Sequence, residues 1–167
     1  VVVAAYADAQ GIEKLKQLGI KDSKKITDPT IRKVAPKIQK IVVHHTVKIL
    51  PKKYNELYAK WKNLNTLLAW MHATAISKVQ TASSCTKILI DKFAHESVMQ
   101  KALAKAGVGL QEVEQKVRAE EDIVVAAASI LARDAFLKGL EDLGAPLSKN
   151  LPKGASKALN FAAKKIK

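Results

Sequence analysis

Three acidic residues stand where carboxylates commonly carry out chemistry in α/β proteins. Asp91 follows the apolar residues 88–90, a run that predicts a buried strand, and functional groups gather at such strand ends. Glu120 and Glu121 precede an alanine-rich run, where a helix dipole favours acidic groups in any case. Carboxylates from separate elements bind divalent cations, and such a cation activates water against a phosphodiester. A metal-dependent phosphodiesterase is therefore one hypothesis, and ordinary turn and helix-start roles are the alternative.

A second feature is the basic loop at residues 19–25, which has the composition of a phosphate contact. The Ser23 hydroxyl, the loop amides and Lys24 or Lys25 are all donors suited to phosphate oxygens. The chain has neither the Walker A pattern nor the dinucleotide glycine pattern, so nothing supports nucleotide-triphosphate or NAD chemistry.

The histidines and the cysteine give little support for other chemistries. His44 and His45 point to opposite faces of a regular strand, while His72 and His95 are isolated in the sequence, so packing or surface roles are favoured over metal ligation. The single cysteine, Cys85, has no nearby base, excludes an internal disulfide and suits a reducing compartment. The cytoplasm is the expected location.

The charge of the 167-residue chain, +14, favours a polyanionic partner. Residues 13–53 hold 12 basic and 3 acidic side chains, and residues 143–167 hold 6 lysines and no acid. The intervening residues 54–142 balance at 11 against 11, so two segments are expected to supply the positive field. Solvated helix faces explain such lysines equally well. The apolar residues 1–7 are too short for a membrane span, and no membrane partner is expected.

Hydrophobic periodicity predicts an α/β domain in which strands alternate with helices. The predicted strands are residues 1–7, 41–50 and 88–91. The predicted helices are residues 9–18, 27–40, a long one at 55–79, 94–106, 124–132 and a last one capped by Ser156. Trp61 and Trp70 are expected to be core or interface anchors rather than stacking platforms for bases.

Seven segments, in the right order and over almost the whole chain, resemble the type 2 ribonuclease H family. Leu18-Gly19-Ile20-Lys21-Asp22-Ser23-Lys24-Lys25 with Ile26-Thr27-Asp28 resembles the lysine-rich loop shared by ribonucleases HII and HIII. The other six resemble ribonuclease HIII: residues 53–58, Asn63-Leu64-Asn65 with residues 67–70, residues 90–94, Ala119-Glu120, residues 127–133 and residues 151–156.

The resemblance implies a ribonuclease H-like fold, with a mixed five-stranded sheet flanked by helices. It also implies endonucleolytic hydrolysis of the RNA strand of RNA/DNA hybrids by water, with Mg²⁺ or Mn²⁺, leaving 3′-hydroxyl and 5′-phosphate ends. Asp91 matches the third carboxylate of the family's metal-binding set and Glu120 the fourth, with Glu121 as a possible substitute because the following interval is one residue short. The substrate-binding residues implied are Lys21, Ser23, Lys24, Asn63, Asn65 and Lys153.

The chain departs from the family pattern at its start. Family members carry an Asp-Glu pair in a first, central strand upstream of the strand that resembles residues 1–6, and the sequence has nothing there. Residues 1–167 are therefore expected to form a single, monomeric catalytic domain truncated at its N-terminus, without the N-terminal substrate-binding domain of ribonuclease HIII. The alternative function is a catalytically inactive nucleic-acid-binding module or fragment that keeps the basic surface.

Overall fold

The computed structural model describes residues 1–20, 26–109, 113–148 and 150–153. The loop residues Lys21, Ser23 and Lys24 and the helix predicted from Ser156 lie outside these ranges. Along the chain run β1 (Val2–Tyr6), α1 (Ala9–Gln17), α2 (Asp28–Gln39), β2 (Val43–Val47), α3 (Pro51–Trp61), α4 (Leu64–Thr81), β3 (Ile88–Asp91), α5 (Glu96–Lys105), β4 (Val113–Lys116), a 3-10 turn (Ala119–Glu121), α6 (Ile123–Gly144) and a second 3-10 turn (Ala145–Leu147).

The four described strands form two pairs. β1 and β2 are antiparallel, with Ala4 opposite His45, while β3 and β4 are parallel, with Asp91 opposite Lys116. The directions agree with a mixed sheet, but within the described residues the two pairs are not joined into one sheet. Side chains connect them instead, because Ala4 of β1 packs against the apolar cluster that includes Ile88 and Ile90 of β3.

Helices cover both pairs of strands and supply most of the core. α4 packs against α5, β1 and β2, and α6 packs against α1, α2 and β1. The α2 and α6 side is filled by side chains such as Leu15, Ile31, Ile38 and Ile130, all fully buried. None of the described helices combines the length and the apolar character that a bilayer crossing demands.

The helix predicted over residues 55–79 is wrong as a single element, because the chain forms two helices there. Lys62 adopts a left-handed conformation (φ 50°, ψ 23°), which ends α3. Its backbone N–H donates to the Tyr58 carbonyl and so completes the last turn of the helix. Asn63 then caps α4, accepting a 3.1 Å hydrogen bond from the Thr66 N–H through Oδ1. The apolar spacing continues through the break, so periodicity alone did not reveal it.

The strand predicted at residues 41–50 is shorter in the structure, and the helix predicted at 124–132 extends to Gly144. β4 was not predicted at all. Its residues 113–116 read VEQK, with two charges and no bulky apolar run, and only its pairing with β3 defines it as a strand.

Candidate active site

The candidate site lies where β3 ends beside the 3-10 turn that precedes α6. The Oδ1 atom of Asp91 accepts a hydrogen bond of 3.3 Å from the backbone N–H of Ala119, the residue before Glu120. This contact spans 28 positions of the sequence and brings together two elements that the sequence separates. Asp91 itself is exposed.

Local backbone geometry fixes how the acidic run is presented. Asp122 is the N-cap of α6 and accepts hydrogen bonds from the Val124 and Val125 N–H groups. Glu120 and Glu121 belong to the 3-10 turn instead of the first turn of the helix that the sequence predicted. The positive end of the α6 dipole is adjacent to this turn.

The turn separates the two glutamates by environment. Glu120 is half-buried and its Oε2 atom is out of solvent, whereas Glu121 is exposed. Ala119 between Arg118 and Glu120 is buried, which anchors the turn against β3. Glu120 is therefore the more enclosed of the two glutamates, and Glu121 faces water.

His72 of α4 also belongs to these surroundings, although the sequence treated it as isolated. Its ring stacks on Phe93, with centroids 4.8 Å apart and planes inclined by 17°. Burial lowers the pKa of His72 to about 4, against the opposing effect of the nearby Asp91 charge. His72 is thus neutral at physiological pH and adds no positive charge beside the carboxylates, in agreement with the predicted packing role.

The carboxylate pair suits a hard divalent cation. Mg²⁺ takes oxygen ligands and is commonly held by one or two carboxylates together with water and phosphate oxygens. In the described parts of the chain, no group of three or more His, Cys, Asp or Glu side chains is placed to bind a metal. Among the described residues, Asp91 and Glu120 could supply carboxylate oxygens to such a cation, with water and substrate oxygens as further ligands.

The predicted substrate-binding residues fall in three places. Asn63 caps α4 through its Oδ1 atom, and Asn65 is exposed in the first turn of the same helix. Asn65 precedes His72 by seven residues, so the two share one face of α4, about 10 Å apart along the axis. Lys21, Ser23 and Lys24 lie outside the described residues.

Lys153 lies elsewhere and is already paired with an acidic residue. It donates to Asp28, which also accepts 2.7 Å and 3.1 Å bonds from Arg133 of α6. Arg133 is ten residues into α6 from Ile123, about 15 Å along the helix. The structure does not bring Lys153 to Asp91 and Glu120 by any described contact.

The arrangement defines a class of protein, an α/β protein with an acidic residue at a strand end beside an acidic turn. In the crystal structure of Bst-RNase HIII in complex with Mn²⁺, the same fold is found with a TM-score of 0.91 and 31% identity, over 98% of this chain and 55% of that one. The crystal structure of Aquifex aeolicus RNase H3 aligns with a TM-score of 0.80 and 25% identity, over 97% of this chain and 60% of that one.

The sequence comparisons are more specific. The ribonuclease HII family model matches residues 1–166, and the chain belongs to this family. Curated relatives named ribonuclease HIII include those of Protochlamydia amoebophila, 46% identical over 99% of the chain, and Chlamydia abortus, 45% identical over 99%. The chain spans about half the length of these relatives, 54% and 56% respectively. The predicted family and fold class are confirmed.

Proposed function

We propose that the protein is an endonuclease that hydrolyses the RNA strand of RNA/DNA hybrids, as a ribonuclease of the HIII type. The observation that supports this most strongly is the hydrogen bond between Asp91 and the Ala119 N–H, because it places the strand-end acid next to the turn that carries Glu120. Two acids that the chain separates widely thus belong to adjacent elements, which is what shared binding of a cation requires.

In this proposal, Asp91 and Glu120 hold Mg²⁺ or Mn²⁺. When bound, the cation lowers the pKa of a water molecule and stabilises charge on the phosphate that is cleaved. The chain's own contribution is positional. Ala119 N–H holds one oxygen of Asp91 and thereby orients the carboxylate, and the 3-10 turn keeps Glu120 half-buried. His72, which stacks on Phe93 near Asp91, is neutral and therefore adds no positive charge that would repel the cation.

The hybrid is proposed to bind through both phosphates and sugars. Asn63 and Asn65, at the start of α4, are proposed contacts to the backbone, together with Lys21, Ser23 and Lys24 of the basic loop. Because the Oδ1 atom of Asn63 is used in capping, its amide N–H₂ group is the part that donates to the substrate. Lys153 is proposed to add positive charge at a distance, since Asp28 already pairs with it.

The decisive test is to replace Asp91 by Asn in the full-length protein. Asparagine keeps an oxygen that accepts from Ala119, so the fold is preserved, but the charge that holds a cation is lost. We expect cleavage of an RNA/DNA hybrid to fall at least about 100-fold, since even outer-shell partners of metals contribute about 10- to 100-fold. Mn²⁺ should raise the melting temperature of the parent and not that of Asp91→Asn.

Glu121→Gln is the matched control, because it removes a neighbouring charge that is exposed. The proposal requires Glu120→Gln to behave like Asp91→Asn and Glu121→Gln to cleave like the parent. Uncut hybrid with both metals, or cleavage that Asp91→Asn leaves intact, would refute it. Salt-sensitive hybrid binding without any cleavage would instead support a nucleic-acid-binding module. A cytoplasmic location and a monomeric state are further parts of the proposal.

A further inference from the structure

Three basic residues surround the end of β3 where Asp91 lies. Lys116 is the residue opposite Asp91 in the parallel pairing of β3 and β4, and Lys92 follows Asp91 directly. The Lys92 N–H bonds the Lys116 carbonyl at 3.0 Å, which ties the two strand ends together. Arg118 is two residues before Glu120. We call Lys92, Lys116 and Arg118 the basic rim; all three residues are exposed.

Arg118 is held in an unusual backbone conformation. Its φ of 59° and ψ of 41° lie in the left-handed region, which costs a side-chain-bearing residue about 1 kcal/mol more than glycine. The conformation is needed, because it turns the chain from β4 into the 3-10 turn so that Ala119 N–H meets Asp91. Glycine would make the same turn without strain, so the turn alone does not explain why residue 118 is an arginine.

Among the described residues, none of the ion pairs includes a residue of the basic rim. The ion pairs of the described residues join other lysines and arginines to the acidic groups. The three exposed cations of the basic rim can therefore contact a ligand that is itself anionic and large enough to reach several of them. The guanidinium group suits phosphate, because its fork of N–H donors matches two phosphate oxygens.

We infer that the basic rim binds backbone phosphates of the nucleic acid next to the one that is cleaved, with Arg118 as the principal contact. The inference rests on the proposed function, because it assigns the substrate phosphates around that same carboxylate pair. Arg118 is a positioning residue in this scheme. It holds the strand so that the cleaved phosphate lies at Asp91 and Glu120, and it takes no part in proton transfer.

Arg118→Gly tests the role of the side chain separately from the role of the backbone turn. Glycine keeps the left-handed backbone, so the melting temperature should stay equal to that of the parent or rise. Binding of a fluorescent RNA/DNA hybrid, measured by anisotropy without divalent metal, should weaken about tenfold or more, as expected for loss of a charge-assisted hydrogen bond. The slope of log affinity against log salt concentration should become shallower by about 0.9.

Two further variants make the comparison specific. Arg118→Lys keeps a point charge, so the salt slope should be close to that of the parent while the affinity falls because the fork is lost. Lys101→Ala removes one positive charge from an exposed position of α5 that is not part of the basic rim, and should change neither the affinity nor the slope. The double variant Lys92→Ala/Lys116→Ala should lower the affinity and the slope further.

The outcomes separate this inference from the proposed function. If the parent cleaves hybrid but Arg118→Gly and the double lysine variant bind as the parent does, the basic rim has no role in binding. Equal losses in Lys101→Ala and Arg118→Gly would show only a general effect of net charge and would also overturn the inference. If the parent fails to cleave and the Arg118 variants still lose affinity, the nuclease proposal fails while the basic rim stands.

Discussion

Asn63 allows helix stability and substrate contact to be measured separately. Its Oδ1 atom caps α4 by accepting from the Thr66 N–H at 3.1 Å, while its amide N–H₂ group is the proposed donor to the hybrid backbone. Asn63→Asp keeps an accepting oxygen and adds negative charge at a helix N-terminus, where it is favourable. The same change replaces the donor by an acceptor that repels phosphate. We therefore expect a melting temperature that is unchanged or higher, together with weaker hybrid binding.

The magnitudes follow from the two roles. Asn63→Ala removes the cap, which is worth about 1 kcal/mol, and a domain of this size then melts about 2–4 °C lower. In Asn63→Asp, losing one hydrogen bond to a charged phosphate costs about 1.5–3 kcal/mol, or roughly 10- to 100-fold in affinity. Thermal melting measures the first effect, and anisotropy of a labelled hybrid at fixed salt measures the second.

The control is Asn55→Asp, which adds the same charge at an exposed position of α3. If Asn63→Asp binds hybrid as tightly as Asn55→Asp does, Asn63 does not contact the substrate backbone. If Asn63→Ala melts at the temperature of the parent, the cap does not stabilise the start of α4.

Two ion-pair clusters give the remaining predictions. Asp134 is only 2% exposed and accepts hydrogen bonds from Arg32 at 3.1 Å and from Lys138 at 2.6 Å. Because Lys138 still pairs with Asp134 in Arg32→Met, this change should destabilise the fold by about 1.5 kcal/mol in urea unfolding, the cost of one hydrogen bond to a charged group. The double variant Arg32→Met/Asp134→Leu should recover most of the free energy of unfolding lost in Arg32→Met. A double variant that is no more stable than Arg32→Met would contradict this prediction. Hydrogen bonds from Lys153 and Arg133 lower the pKa of Asp28. The contribution of Asp28 to stability is therefore complete above its unfolded pKa of about 3.9 and is lost as the pH falls below that value. Asp28→Asn lacks this contribution, so its melting temperature should fall less than that of the parent when the pH is lowered. An identical acid profile for the two proteins would count against the pairing.

The elements with strong local patterns were predictable from the sequence. The Val and Ala run at the start forms β1, the run before Asp91 forms β3, and Thr27 with Pro29 marks the start of α2. In each case the side chains that define the element also bury it or cap it, so local preference and tertiary packing agree.

The misses have two physical causes: a local break that apolar spacing does not report, and dependence on partners that are distant in the sequence. The break at Lys62 needs a left-handed residue, which apolar spacing does not report, and β4 exists because β3 offers it a parallel edge. The 3-10 turn before α6 is likewise held by Asp91. Of the candidate site, the two acids were predicted as residue types and positions. The contact between Asp91 and Ala119, the half-buried position of Glu120 and the basic rim all depend on elements that are distant in the sequence.

Counting charge along the chain does not show which charges lie beside Asp91. Residues 54–142 balance, yet they contain Lys92, Lys116 and Arg118 beside Asp91. In the strongly basic segment 13–53, by contrast, Arg32 is engaged with Asp134 and Lys53 with Glu56. Because salt screens charges beyond about 8–10 Å, a phosphate at the candidate site responds to the basic rim far more than to the net charge of the chain. Changing one residue of the rim should therefore alter binding more than removing both lysines of α2, Lys33 and Lys37.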